Sequence, residues 1–294
     1  MFEKLIANIM FKKLLQRPDI NKAYAMVTPS DSWYDTITKV HNSLADIQKS
    51  PHEVIEITGH DHIRLKGVYY PAKEGSDVTV ICIHGYTSHA EREWAFPGLF
   101  YLSLGCNVLI PYQRAHGLSE GKYITIGALE QKDMLGWVEK VNELTPNGRI
   151  IIHGLSMGGG IALILSDKQM ENVRGIISDA PCDSVKNMFE GIAKSALKKN
   201  ADKVASYVIR RFEKQFRVNI NDLECVDVVA NSQYPILLSA GSNEHCEELF
   251  ANIQKANPKS TQIIILPGCN HGNGMYKQTE LYQTAIKEFI STVL

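Results

Sequence analysis

The hydrophobic period of this chain changes near residue 53. Before it, apolar and polar positions recur at helical spacing. Phe2, Leu5, Ile6, Ile9, Met10 and Lys13 fit one face of a helix, and a polar-faced helical pattern runs on to about residue 50. Turn signals at Arg17-Pro18-Asp19 and Thr28-Pro29-Ser30-Asp31 interrupt it. From 53 the period is two. Residues 53–58 and 63–70 alternate across Gly59-His60-Asp61, which predicts an antiparallel hairpin at a sheet edge. The next segments, at 78–83, 107–111, 149–153, 173–178, 235–240 and 262–266, are almost wholly apolar, as strands buried on both faces must be. Helical patterns at about 90–103, 126–143, 156–170, 245–256 and 276–293 separate most of them. Strands alternating with helices predict an α/β fold: an eight-stranded, mostly parallel sheet with helices on both faces.

One interval breaks the rhythm. Residues 181–233 carry no strand signal and two helix-like runs, at about 185–199 and 201–216. That is too long for a simple crossover, and predicts a small helical lid over the C-terminal edge of the sheet. An ordinary long surface connection is the competing reading. Asp183 is the expected N-cap of the first lid helix. The chain then divides into an N-terminal helical extension, 1–52, packed on the core, and an α/β domain, 53–294, with the lid inserted at about 181–233.

Composition narrows the function without choosing it. The 294 residues are 44% hydrophobic and 21% charged, with a formal net charge of −1. Those values describe a soluble globular chain able to bury a large core, and nothing in them favours nucleic acid or an anionic membrane. The six cysteines form no C-x-x-C pair, and Cys82, Cys106 and Cys182, within or beside predicted strands, read as small core residues. This usage fits a reducing cytoplasm. The apolar N-terminal run is too short to span a bilayer and ends at Lys12-Lys13 without a small-residue cleavage site. A helix packed on the domain is expected, with a weak membrane-surface or dimer contact as the sharper alternative. The expected location is therefore cytoplasmic, with no stable membrane insertion and no nucleic-acid partner. The oligomeric state is left open.

The chemistry concentrates at Gly154-Leu155-Ser156-Met157-Gly158. This Gly-x-Ser-x-Gly run lies between the strand pattern 149–153 and the helix-like run that follows, the context of a nucleophile elbow. A sharp strand-to-helix turn needs its glycines and lifts the serine hydroxyl to the sheet edge. A serine needs a base, and the base an orienting carboxylate. His271 is the best-placed base, in the glycine-rich loop Gly268-Cys269-Asn270-His271-Gly272 after the last strand. His153 is expected to pack beneath the elbow. Glu244 is the first carboxylate after the strand at 235–240, and Asp179, at the end of the preceding strand, is its rival. Glu247 and Glu248 fit a helical first turn instead. Two backbone amides should form an oxyanion hole: that of Met157, after the nucleophile, and that of Tyr86, in the loop His84-Gly85-Tyr86-Thr87-Ser88.

Four stretches in this order carry a family resemblance: His84-Gly85-Tyr86-Thr87; the run from Tyr112 through Arg114, His116 and Ser119 to Gly121; His153 through Gly160; and Gly268-Cys269-Asn270-His271. Together they resemble the bacterial serine hydrolases of the α/β-hydrolase superfamily, in the esterase-like branch related to the catalytic domains of prolyl-oligopeptidase-like peptidases. The likeness covers about residues 53–294. It implies hydrolysis of carboxylic esters, less often amides, through an acyl-enzyme, on a small-molecule substrate and with no metal or organic cofactor. It implies a structural role for Arg114, His116 and Ser119 in the active-site floor, and a lid whose Met188, Phe189, Ile192 and Phe212 select small to medium acyl groups. One departure stands out. The family usually places Gly-x-x-Asp and then Val-Pro after the seventh strand, whereas this chain offers Glu244 in a shortened loop with no Val-Pro. The acid therefore stays open between Glu244 and Asp179. A peptidase on the same residues, or a catalytically weak binding protein on a hydrolase fold, are the alternative functions.

Overall fold

The alternating segments and the apolar runs all enter one sheet. A computed structural model describes residues 2–18, 33–197 and 199–294, so the turn signals at Asp19 and at 28–31 lie outside the described residues. The chain runs through α1 (Phe2–Leu15), a 3-10 turn (Tyr34–Thr36), α2 (Ile37–Ile47), β1 (Glu53–Thr58), β2 (Arg64–Tyr70), β3 (Val78–Ile83), α3 (Ala90–Ser103), β4 (Asn107–Pro111), α4 (Glu130–Leu144), β5 (Arg149–Leu155) and α5 (Met157–Ile164). It continues through β6 (Val173–Asp179), α6 (Val185–Ala196), α7 (Ala201–Phe216), a 3-10 turn (Ile220–Leu223), α8 (Cys225–Val229), β7 (Ile236–Gly241), α9 (Glu247–Ala256), β8 (Thr261–Leu266), α10 (Gly274–Lys277) and α11 (Thr279–Val293). The strand order is β1-β2-β4-β3-β5-β6-β7-β8. The β1–β2 hairpin forms one edge and pairs antiparallel to β4, while the remaining strands are parallel.

Period-two alternation splits the core into two layers. Val80, Cys82, Val108, Ile110, Ile151 and Ile177 point to one face, packing with α2, α3 and α11 through Ile47, Trp94 and Phe289. Their neighbours Ile81, Ile83, Leu109, Ile150, Ile152 and Ile176 point to the other, with Trp137 of α4, Ile161 of α5 and the helices between β6 and β7. Every residue of β3 and β4 is buried, which is why their sequences show no alternation of polarity.

Several sequence expectations are corrected by packing. The buried face of α1 is Ala7, Phe11 and Leu15. Phe2, Leu5 and Ile9, assigned to the packed face, point outward at 71%, 58% and 58% exposure. The helix turns this way because Phe11 finds aromatic partners: it stacks on Phe216 of α7 with ring centroids 6.1 Å apart, and Arg211 lies 4.0 Å over its ring. Helix α4 begins at Glu130 and not at 126, because the buried Glu130 carboxylate takes the Thr125 and Gly127 N–H groups (2.7 and 2.9 Å) and holds 125–128 in a turn. Helix α5 stops at Ile164, and the Ser166 carbonyl just beyond it accepts the Gln233 N–H at 2.7 Å. The last helical run is broken at Gln278, where Lys39 donates to the Tyr276 carbonyl and to Thr279 Oγ1.

In the segment between β6 and β7, the N-cap of α6 is Ser184, not Asp183. The Ser184 hydroxyl accepts the Asn187 N–H, and Asp183 accepts the Ser184 N–H at 2.7 Å. Phe189 and Phe212 are fully buried against each other, with ring centroids 5.4 Å apart. They are interior residues of this helical layer, whereas Met188 and Ile192 keep partial exposure. Cys182 is half-buried and not a core thiol, unlike Cys82 and Cys106.

Candidate active site

Ser156 stands between β5 and α5 with φ 58° and ψ −116°, a conformation that L-residues adopt where the surroundings enforce it. Its amide donates to the Asp179 carbonyl (2.9 Å), and its carbonyl accepts from Gly160 and Cys182. The flanking glycines are required by close backbone approach. A Cβ on Gly154 would lie 2.0 Å from the Gly158 carbonyl oxygen, and one on Gly158 would lie 2.0 Å from that of Ile83. The elbow is thus wedged against the end of β3, beside the loop that carries Tyr86.

His271 follows β8 and reaches the serine from the far side of the sheet edge. Its Nε2 lies 2.8 Å from Ser156 Oγ, and its Nδ1 lies 2.6 Å from Glu244 Oε2. The imidazole is 61% exposed, while the Glu244 side chain is 7% exposed. The other Glu244 oxygen accepts the Gly241 N–H at 2.6 Å, and the Glu244 amide returns to the Gly241 carbonyl at 3.0 Å. The Glu244 carboxylate therefore sits in a tight turn directly after β7. The hydrogen bond that His271 Nδ1–H donates to Glu244 holds the His271 pKa above its usual value, and the charges of Glu244, Asp179 and Glu93 act in the same direction.

Asp179 is placed elsewhere. Its two oxygens accept from Ser239 Oγ (2.6 Å) and Tyr282 Oη (3.0 Å), and burial pushes its pKa up to about 6. Tyr282 Oη also meets His153 Nε2 at 3.2 Å, and Tyr101 Oη meets His153 Nδ1 at 2.6 Å. His153 lies buried in this polar chain beneath the elbow, and its burial drives its pKa down to about 3.

The loop between β3 and α3 is braced by two buried imidazoles. His84 Nε2 accepts the Gln113 N–H at 3.1 Å, so Nδ1 carries the proton and donates to the Gly85 carbonyl at 2.8 Å. His116 Nε2 accepts the Thr87 N–H at 3.2 Å, and its Nδ1–H donates to the Arg114 carbonyl. Burial lowers both pKa values, that of His116 to about 4. Arg114 is buried in ion pairs with Asp133 (2.7 Å) and Asp61 (3.1 Å), and the Ser119 hydroxyl accepts the Lys66 N–H. Tyr86 has a partner that the sequence did not suggest: its hydroxyl donates to the Leu14 carbonyl at the end of α1, at 2.6 Å. Glu93 stands in the first turn of α3, where by sequence an acidic residue looks like an ordinary helix-dipole partner. Among the described residues, no group of three or more His, Cys, Asp and Glu is arranged to hold a metal ion, and no helix is long and apolar enough to cross a membrane.

The sheet order, the elbow and the loops gathered at the C-terminal ends of the strands define an α/β-hydrolase. The chain belongs to the Hydrolase_4 family, described as serine aminopeptidase, S33, which it matches over residues 75–234, more than half its length. A solved esterase from Pyrococcus furiosus superposes with a TM-score of 0.66 at 25% identity, covering 85% of this chain and 93% of that one. Est1E from Butyrivibrio proteoclasticus, solved with ferulic acid bound, shares the fold (TM-score 0.64, 21% identity, 81% and 98% covered). The uncharacterized protein YqkD of Bacillus subtilis is 35% identical over 126 residues, 42% of this chain and 40% of that protein. The alpha/beta hydrolase domain-containing protein WAV2 of Arabidopsis thaliana is 23% identical over 202 residues, 64% of this chain and 61% of that protein. The matched stretches thus span less than two thirds of these relatives' own lengths.

Proposed function

We propose that this chain is a serine hydrolase that cleaves carboxylic esters through an acyl-enzyme. The observation that carries the reading is the relay of Ser156 Oγ, His271 Nε2, His271 Nδ1 and Glu244 Oε2, with contacts of 2.8 and 2.6 Å. Both lie in the range a general base and its orienting acid require. In this mechanism His271 takes the Ser156 proton as Oγ attacks the acyl carbon. Glu244 keeps the proton-bearing Nδ1 directed at itself and stabilises the imidazolium. The amides of Tyr86 and Met157 receive the oxyanion, and His271 then protonates the leaving alcohol. Water repeats the sequence to release the acid. The likeness to an esterase at 25% identity supports an ester substrate. The helices between β6 and β7 act as the lid, with Met188 and Ile192 as its accessible apolar side chains.

A fluorophosphonate should label Ser156 covalently, and equal labelling of Ser156→Ala would sink the assignment. The family description names aminopeptidases, so amide cleavage on the same residues is the second reading. Turnover of an ester against its matching amide decides between them: the ester reading expects the amide to be slower by orders of magnitude.

A further inference from the structure

The cleft holds a carboxylate for which the relay above has no use. Glu93, the fourth residue of α3, is half-buried, and its Oε1 accepts the Gly85 N–H at 2.7 Å. Its Oε2 turns toward the same glycine: a Cβ built on Gly85 would lie 3.4 Å from Oε2 and 3.3 Å from Ser156 Cβ. The Ser88 side chain hydrogen-bonds this carboxylate as well. Glu93 therefore ties together both ends of the short turn 85–88, which the Ser88 N–H closes onto the Gly85 carbonyl. Within that turn stand Tyr86 and Thr87, the latter at φ 53°, a left-handed conformation that a β-branched residue keeps only when its surroundings hold it. His116 holds the Thr87 amide and Glu93 holds the flanks.

The charged and titratable groups facing Glu93 are His271, from the loop after β8, and Asp179, at the end of β6; the Tyr276 phenol of α10 also feels its charge. We propose that Glu93 is a positioning residue, fixing the turn that presents the Tyr86 amide to the oxyanion. The proposal rests on the serine-hydrolase reading above. A carboxylate at this place has two opposed effects. It pins the oxyanion turn, while its negative charge opposes the oxyanion. Burial raises its pKa to about 7, so the balance shifts within the neutral range.

The test is steady-state hydrolysis of a short aryl ester from about pH 5 to 9 by wild type, Glu93→Ala, Glu93→Gln and Ser156→Ala. Glu93→Ala removes the acceptor, and kcat should fall about 10- to 100-fold with KM changed less than about threefold. Glu93→Gln keeps an amide oxygen for the Gly85 N–H and should recover most of that loss. A role confined to stability would leave kcat per folded molecule unchanged. Wild-type kcat in a folded Glu93→Ala, or a Glu93→Gln as slow as Glu93→Ala, overturns the proposal; if Glu93→Ala does not fold, a folded Glu93→Gln that loses about tenfold or more in kcat overturns it. Wild-type activity in Ser156→Ala overturns the hydrolase reading instead, and so is distinguished from a failure at Glu93.

Discussion

Glu244 gives one carboxylate oxygen to His271 Nδ1 and the other to the Gly241 amide, each at 2.6 Å. The backbone of β7 thereby aims the acid at the imidazole, leaving it little rotational freedom. Asp179, buried at the end of the neighbouring strand β6, is instead engaged by Ser239 and Tyr282.

The two carboxylates should therefore separate in kinetics. Glu244→Ala is expected to lower kcat on a short aryl ester by about 10³- to 10⁴-fold, as loss of an orienting acid does. Asp179→Asn, which keeps oxygen and nitrogen for its neighbours, should cost less than about tenfold. A larger loss in Asp179→Asn than in Glu244→Ala would reverse the assignment.

The pH profile follows from the same contact. In the proposed mechanism His271 works as a base when neutral, and Glu244 raises its pKa. Activity should rise with pH through an apparent value above the roughly 6.5 of free histidine. In Glu244→Gln the rise should move to lower pH. A profile unchanged by that substitution would show that the imidazole is not paired as described.

The orientation of α1 predicts an asymmetric response to substitution. Phe11→Ala removes a fully buried ring stacked on Phe216, and should destabilise by about 3–5 kcal/mol. Serine at Phe2, Leu5 or Ile9 should each change stability by less than about 0.5 kcal/mol, since these side chains already meet solvent. Urea unfolding of the four variants checks both halves.

His153 should make stability depend on acid. It is neutral and buried, with its folded pKa near 3, while in the unfolded chain it takes a proton below roughly 6.5. Its contribution is complete above that pH and is lost as pH falls toward 3. Asp179 and Glu93, whose pKa values are raised, act with the opposite sign over the neutral and weakly acidic range. The imidazole is therefore read as a difference. Relative to His153→Gln, wild type should lose about 1.4 kcal/mol for each pH unit below 6.5. A constant difference between pH 7 and 5 would show that His153 titrates normally in the folded state.

Much of the architecture was legible because burial on both faces leaves a mark that needs no partner to read. The apolar runs at 78–83 and 107–111 are the ranges of β3 and β4, and the helix expected at 201–216 is α7. Element ends were less legible, because they depend on side chains far away in sequence. Lys39 reaches the break between α10 and α11, and Gln233 takes a carbonyl beyond α5. The buried face of α1 is not legible along the chain, because apolar side chains stand on more than one face of this helix and the aromatic partner Phe216 comes from α7, far away in sequence.

The sequence by itself determined the strand–turn–helix around Ser156, the parallel sheet that must cover both faces, and the position of His271 in a loop after the last strand. These are local patterns, and local sterics and polarity dictate them. Tertiary structure decided everything that depends on distance between remote segments. It brought Glu244 rather than Asp179 to the imidazole, set Glu93 beneath the Gly85 turn, and joined Tyr86 to the end of α1. Each outcome turns on which of several chemically equivalent groups comes within about 3 Å, the range in which a hydrogen bond forms. No pattern along the chain encodes that choice; the packing of the sheet makes it.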